Sequence, residues 1–261
     1  MSTSARNGLA LFDMTGRVVL VTGGSKGLGL TIAFGLASAG ADVALVSRNE
    51  AEVQAAAKQV ASAFGHRAIG IKADVTDEAD VARAVSRTLA DLGRIDVLVN
   101  NAGINIRGPI DSLTLEQFRK VQQVNTEGVW LSSRAVVPHM KERQWGRIIN
   151  ISSALGVVGL GERTSYCSSK GAVVQMTRAL AIELAPFKIT VNAILPGPFL
   201  TEMNIPMKDD PKFVQAIVGA TALGRWGELH EMQGAAMYLA SDAGSYTTGS
   251  MIAVDGGWTA R

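Results

Sequence analysis

Short apolar runs rich in β-branched residues alternate along this chain with longer stretches of helical periodicity, and this alternation constrains the fold more than any other feature. Residues 17–22, 42–47, 68–73, 95–99, 147–151, 190–194 and 250–254 read as strands. Between them, residues 27–39, 50–64, 77–92, 115–140, 165–185 and 229–240 read as helices. Strands and helices in strict succession imply a parallel sheet with helices on both faces. Most of the strand runs are apolar throughout rather than at every second position, as expected for a sheet buried on both sides. A Pro-rich segment from Pro196 to Pro211 breaks the rhythm. With no repeat or linker and 261 residues, the expectation is a single doubly wound α/β domain over residues 1–261. Residues 1–12 form an arm and residues 196–228 a flap within it.

Composition narrows the partners. A net charge of +2 gives no basic stripe for nucleic acid or a membrane surface. No apolar run is long enough to span a bilayer. Residues 1–11 lack the apolar core of a signal peptide, so a cytoplasmic protein is expected. Cys167 is the single cysteine, which precludes an internal disulfide and reads as a packing residue. His66, His139 and His230 are scattered without metal-ligand spacing, so no metal site is expected.

The turn after the first strand is Thr22-Gly23-Gly24-Ser25-Lys26-Gly27-Leu28-Gly29, and it opens the first helix. Glycines at a strand–helix turn let the backbone approach a pyrophosphate, and the helix N-terminus favours its charge. The spacing departs from G-x-G-x-x-G, since Thr31-Ile32 stands where the third glycine would be, so the turn alone also fits a tight connection without a ligand. About 20 residues further on, an acid would bind the ribose hydroxyls of NAD. Here the second strand ends in Ser47-Arg48-Asn49. Arg48 suits a 2′-phosphate, with Lys26 as a second cation, so NADP(H) is the expected cofactor, with NAD(H) possible. The alternative is that both are solvated surface charges. Asp74 and Val75 follow the third strand; Asp74 either meets an adenine edge or caps the next helix, alone or with Asp77. Asn100-Asn101-Ala102-Gly103 follows the fourth strand, either as backbone contact for a dinucleotide or as a plain turn. Asn125 lies inside a long helical pattern, facing solvent or bonding inward to hold a water.

Tyr166 and Lys170 are four apart, which on a helix places them on one face. An ammonium beside a phenol favours the phenolate and would lower its pKa from about 10, making an acid/base unit. Ser153, at the carboxyl end of the preceding strand, could hold a substrate oxygen.

Taken in order, these motifs resemble the short-chain dehydrogenase/reductase family: residues 22–29 and 100–103, Asn125, Ser153, Tyr166-x-x-x-Lys170 and Pro196-Gly197. The resemblance runs from about residue 13 to the C-terminus. It implies a Rossmann-type sheet of seven parallel strands. It implies Tyr166 as general acid/base, and Lys170 as the residue that binds the nicotinamide ribose and lowers the Tyr166 pKa. Ser153 would polarise the substrate carbonyl, and Asn125 would anchor a relay water. It implies cofactor contacts from Gly23, Ser25, Lys26, Gly27, Leu28, Gly29, Asn101, Ala102, Gly103, Pro196, Gly197 and Thr201, besides Ser47, Arg48, Asn49, Asp74 and Val75. The reaction implied is hydride transfer between nicotinamide and a ketone or secondary alcohol. Residues 12–16, 196–203 and 225–227 are similar to gluconate 5-dehydrogenases, and residues 242–257 also to 3-oxoacyl-carrier-protein reductases. Arg107 and Arg163 are candidates to grip a substrate carboxylate, or are solvated loop arginines. Residues 196–211, with Met203 and Met207, read as a mobile flap or as a surface excursion. Such relatives are usually homotetramers built through the helices at residues 115–140 and 165–185. The competing class is a regulatory protein that senses NADPH without chemistry.

Overall fold

The computed structural model describes residues 7–260 apart from 203, 206 and 207, and leaves the Phe213 side chain undescribed. Met203 and Met207 of the expected flap and residues 1–6 of the expected arm therefore lie outside the described residues.

Seven parallel strands form one sheet in the order β3-β2-β1-β4-β5-β6-β7. They are β1 Val18–Thr22, β2 Asp42–Ser47, β3 Ala68–Lys72, β4 Val97–Asn100, β5 Gly146–Ile151, β6 Ile189–Pro196 and β7 Met251–Val254. The helices are α1 Gly27–Ser38, α2 Glu50–Phe64, α3 Glu78–Leu92, α4 Leu115–Gln122, α5 Gly128–Arg143, α6 Thr164–Leu184, α7 Pro211–Ile217 and α8 Gln233–Ala240. Chain order reverses between β1 and β4, which puts a crevice above the carboxyl ends of those strands.

The sheet is sandwiched between two apolar layers, which explains the continuous apolar strands. Val19 and Val21 of β1 join Leu45, Val99 and Ile149 against Ile32, Leu36, Val53 and Leu239 of α1, α2 and α8. Val18 and Leu20, alternating with them, join Val46, Leu98 and Ile148 against Val85, Val136, Ala181 and Leu184 of α3, α5 and α6. Caps set several helix starts. Asn49, Asp77 and Thr114 accept first-turn N–H groups of α2, α3 and α4. Gly65 and Gly93 close α2 and α3 in the left-handed conformation.

The single helix expected over residues 115–140 is interrupted. Gln123–Glu127 forms a π turn between α4 and α5, with the Gly128 N–H bonding back to the Gln123 carbonyl. Such turns are invisible to apolar periodicity and often mark functional positions. α7, which begins where the Pro-rich segment ends and lies within the 196–228 stretch, was also not anticipated; Pro211 starts it, where a missing N–H costs nothing.

Candidate active site

A cleft of about 480 Å³ opens along the carboxyl edge of the sheet. Its walls come from the segments that follow β1, β2, β3, β4, β5 and β6. The glycine turn forms one wall. Gly23 is left-handed at φ +62, and a Cβ there would lie 2.9 Å from the Ala102 Cα. A Cβ on Gly29 would collide with the Gly23 carbonyl and the Asn101 amide. Both positions therefore admit only glycine, so the turn folds tightly against the segment after β4. Asn101 braces it, donating from Nδ2 to the carbonyls of Thr22 (3.1 Å) and Gly23 (2.9 Å). The Thr22 hydroxyl accepts the N–H groups of Asn101 and Ala102. Unlike α2, α3 and α4, α1 has no side-chain cap, since Lys26 occupies its N-cap. Its first-turn N–H groups thus remain available beside the cleft lined by Gly27 and Leu28. A glycine cradle under an uncapped helix N-terminus fits a dinucleotide pyrophosphate.

Ser47, Arg48, Asn49, Asp74 and Val75 line the same cleft, and so do Ser25 and Lys26. Two of these side chains are committed elsewhere. Asn49 is spent on capping α2, exchanging bonds with the Glu52 N–H and carboxylate. Asp74 folds onto Thr76, accepting from its N–H and hydroxyl, while Asp77 is the cap of α3. Arg48 is exposed and makes no ion pair among the described residues. Lys26 is not simply solvated: its Nζ lies 2.7 Å from Glu202 Oε2 and 3.8 Å from Glu52 Oε2.

At the other end, Ser153, Tyr166 and Lys170 converge with Pro196, Gly197 and Thr201 on the cleft. Ser153 caps a 3-10 turn, accepting from the Leu155 N–H at 3.1 Å, and its hydroxyl lies near enough to the Tyr166 phenol to lower the phenol's pKa. Lys170 is buried; its Nζ donates to the Ile151 carbonyl at 2.8 Å and stands 5.7 Å from the centre of the Tyr166 ring. The Ser152 hydroxyl ties the Lys170 carbonyl down at 2.9 Å. Asn125 is fully buried in the π turn and does not face solvent. Its side chain bonds inward: Oδ1 accepts from the Ile104 N–H, and Nδ2 donates to the Ile104 carbonyl and the Ser169 hydroxyl. A Cβ on Gly103 would sit 3.4 Å from both Asn125 Oδ1 and Lys170 Nζ, in ordinary contact with both groups.

The electrostatics reverse one expectation. Burial raises the Tyr166 pKa, against opposing pulls from the Ser153 hydroxyl and the Arg107 charge. Burial also lowers Lys170 to about 8. The groups that pull the phenol's pKa down in this ligand-free chain are Ser153 and Arg107, and Lys170 is not among them.

Arg107 and Arg163 lie behind this end: neither lines the cleft, and Arg107 reaches it through Asn204, which does. Arg107 Nη2 donates to Asn204 Oδ1 at 3.0 Å, and Arg163 is 8% exposed, which rules out a solvated loop arginine. Burial lowers the pKa of both, and the Arg107 charge lowers that of Arg163 further. Glu202, Asn204, Phe199 and Ser152 line the cleft without having been singled out in the sequence. None belongs to a spacing pattern, and their contacts bridge residues from 18 to more than 170 positions apart.

Residues 23–259 match a protein-family model described as enoyl-(acyl carrier protein) reductase. The chain is 40% identical over 245 residues to cyclopentanol dehydrogenase of Comamonas sp., covering 94% of this chain and 98% of that one. It is 38% identical over 247 residues to 5-keto-D-gluconate 5-reductase of Escherichia coli K12, covering 95% and 97%. The crystal structure of a gluconate 5-dehydrogenase from Burkholderia cenocepacia in complex with NADP and tartrate superposes with a TM-score of 0.94 at 37% identity, covering 98% of this chain and 100% of that one.

Proposed function

The chain belongs to the short-chain dehydrogenase/reductase family, and from that premise we propose that it is an NADP(H)-dependent oxidoreductase moving a hydride between nicotinamide and the carbonyl carbon of a keto sugar acid. The observation that supports the sugar acid is the pair Arg107 and Arg163: burial lowers the pKa of both, and the Arg107 charge reaches the Tyr166 phenol, although neither arginine lines the cleft itself. Taking two cations out of water side by side is costly, and an anion between them offsets that cost. The tartrate held by the Burkholderia relative is a dicarboxylate and agrees with this chemistry. Arg48 and Lys26, with no acid at the end of β2, support the 2′-phosphorylated cofactor; NAD(H) also fits.

The protein residues then divide the work. Tyr166 gives its proton to the carbonyl oxygen in reduction and takes it back in oxidation. Ser153 orients that oxygen and stabilises charge developing on it. Lys170, fixed between Ile151 and Ser152, presents its amine where the ribose hydroxyls of the cofactor would lie. Asn125 holds the segment of Ile104 and Ser169 in register around it. Gly23–Gly29, Asn101–Gly103, Pro196, Gly197 and Thr201 would cradle the dinucleotide. We read the chain as one domain, and as a tetramer whose contacts include Leu115, Trp130 and Ile182, exposed at 61%, 48% and 79% on α4, α5 and α6.

The test is a panel of 5-ketogluconate, cyclopentanone and an acetoacetyl thioester, with NADPH oxidation as readout. The sugar acid should have the highest kcat/KM, and Arg107→Met and Arg163→Met should lower it chiefly through KM. Cyclopentanone turned over best and insensitive to both variants would remove the sugar acid.

A further inference from the structure

We propose that Glu202 sets the enzyme's discrimination between the phosphorylated and unphosphorylated dinucleotide, by holding through its carboxylate the lysine that would otherwise meet the 2′-phosphate. This rests on the reading of the cleft as a nicotinamide dinucleotide site.

Five charged side chains line the nucleotide end of the cleft: Lys26 and Arg48 on one side of the ledger, Glu52, Asp74 and Glu202 on the other. The mouth is therefore net acidic by one charge, although the residues that would greet a phosphate are basic. Lys26 is the point of conflict. Its Nζ is 2.7 Å from Glu202 and 3.8 Å from Glu52, so two carboxylates already share its charge. A 2′-phosphate dianion entering here must take Lys26 from Glu202 or lie against both acids. Both members of the pair are about half exposed, and ion pairs of that kind are weak enough to exchange partners. Repulsion between the phosphate and Glu202 persists whichever partner Lys26 chooses. An unphosphorylated ribose meets neither effect.

Glu202 also stands on a segment that touches both ends of the cleft. Two residues on, Asn204 accepts from Arg107 and donates to the Phe199 carbonyl at 2.9 Å. Phe199 is 4% exposed and anchors the segment. The same short stretch thus contacts both Lys26 and Arg107.

Titration of NADPH and NADH into the protein, followed by nicotinamide fluorescence, tests this. Glu202→Gln should tighten NADPH about five- to tenfold at low salt, leave NADH within about twofold, and lose most of its effect near 0.5 M salt. In a Lys26→Met background the gain from Glu202→Gln should shrink, since part of it requires the lysine. Equal movement of both dinucleotides would mean that Glu202 only closes the segment over any cofactor, and no movement would mean that its charge is not felt; each overturns the proposal. A wild-type chain that binds neither dinucleotide would overturn the reading of the cleft and this inference with it.

Discussion

Tyr166 sits where burial and polar neighbours pull in opposite directions, and burial wins in the ligand-free chain. Its phenol is therefore protonated throughout the neutral range, ready to give a proton to a ketone. Carbonyl reduction should run on a plateau through the neutral range, while alcohol oxidation, which needs the phenolate, should climb as pH rises. Arg107 lowers the phenol's pKa, so Arg107→Met should move the oxidative limb to higher pH. An initial-rate pH profile in each direction checks this, and an unmoved limb would detach Arg107 from the phenol. That Ser153, Tyr166 and Lys170 come together was legible, because a strand end and a helix turn place them, while the roles given to them come from the resemblance to the family. The reversed electrostatics were not legible. They depend on how deeply Lys170 is buried and on where Arg107, 59 positions earlier, comes to rest.

Among the elements, the β1–α1 connection is the most constrained. Gly29 has no room for a Cβ because the Gly23 carbonyl and the Asn101 amide already occupy it. Gly29→Ala should push the glycine turn off Asn101, lower the melting temperature by several degrees and weaken NADPH binding at least about tenfold, as expected when backbone must shift to relieve overpacking. Calorimetry with a binding titration reads both. Gly103→Ala meets only ordinary contact distances, so it should fold normally and act on the Lys170 and Asn125 neighbourhood instead. Strand and helix positions were readable because two apolar layers enforce continuous strand hydrophobicity and helical periodicity. The π turn over Gln123–Glu127 was not, since one extra residue in a helix leaves no mark in the pattern around it. The Lys26–Glu202 and Arg107–Asn204 contacts were equally hidden, being set by how the segment after β6 folds back over the cleft.

For the molecule as a whole, the buried lysine ties stability to pH. Lys170 titrates at about 8 when folded and near 10.5 when unfolded. Between those values the unfolded chain holds a proton that the folded chain has shed, so folding is favoured increasingly as pH rises through that window. Above pH 10 Tyr166 opposes this, because its raised pKa keeps a proton in the folded state. Lys170→Met should therefore be relatively more stable than wild type at pH 7 than at pH 10.5, by about 2–3 kcal/mol in the difference. Urea denaturation of the two proteins at both pH values measures it, and a pH-independent difference would mean that Lys170 is not buried as described. Light scattering should find a tetramer, and Ile182→Glu on the exposed face of α6 should dissociate it. Neither the substrate nor the assembly could be read from periodicity, which records burial within one chain and nothing of what meets its surface.

If one proton, carried by the Tyr166 hydroxyl, moves with the hydride, single-turnover oxidation of NADPH by Tyr166→Phe with 5-ketogluconate should run about a hundred- to ten-thousandfold below wild type, with NADPH still bound as tightly. A rate within tenfold of wild type, at full cofactor occupancy, would mean that the phenol does not carry that proton.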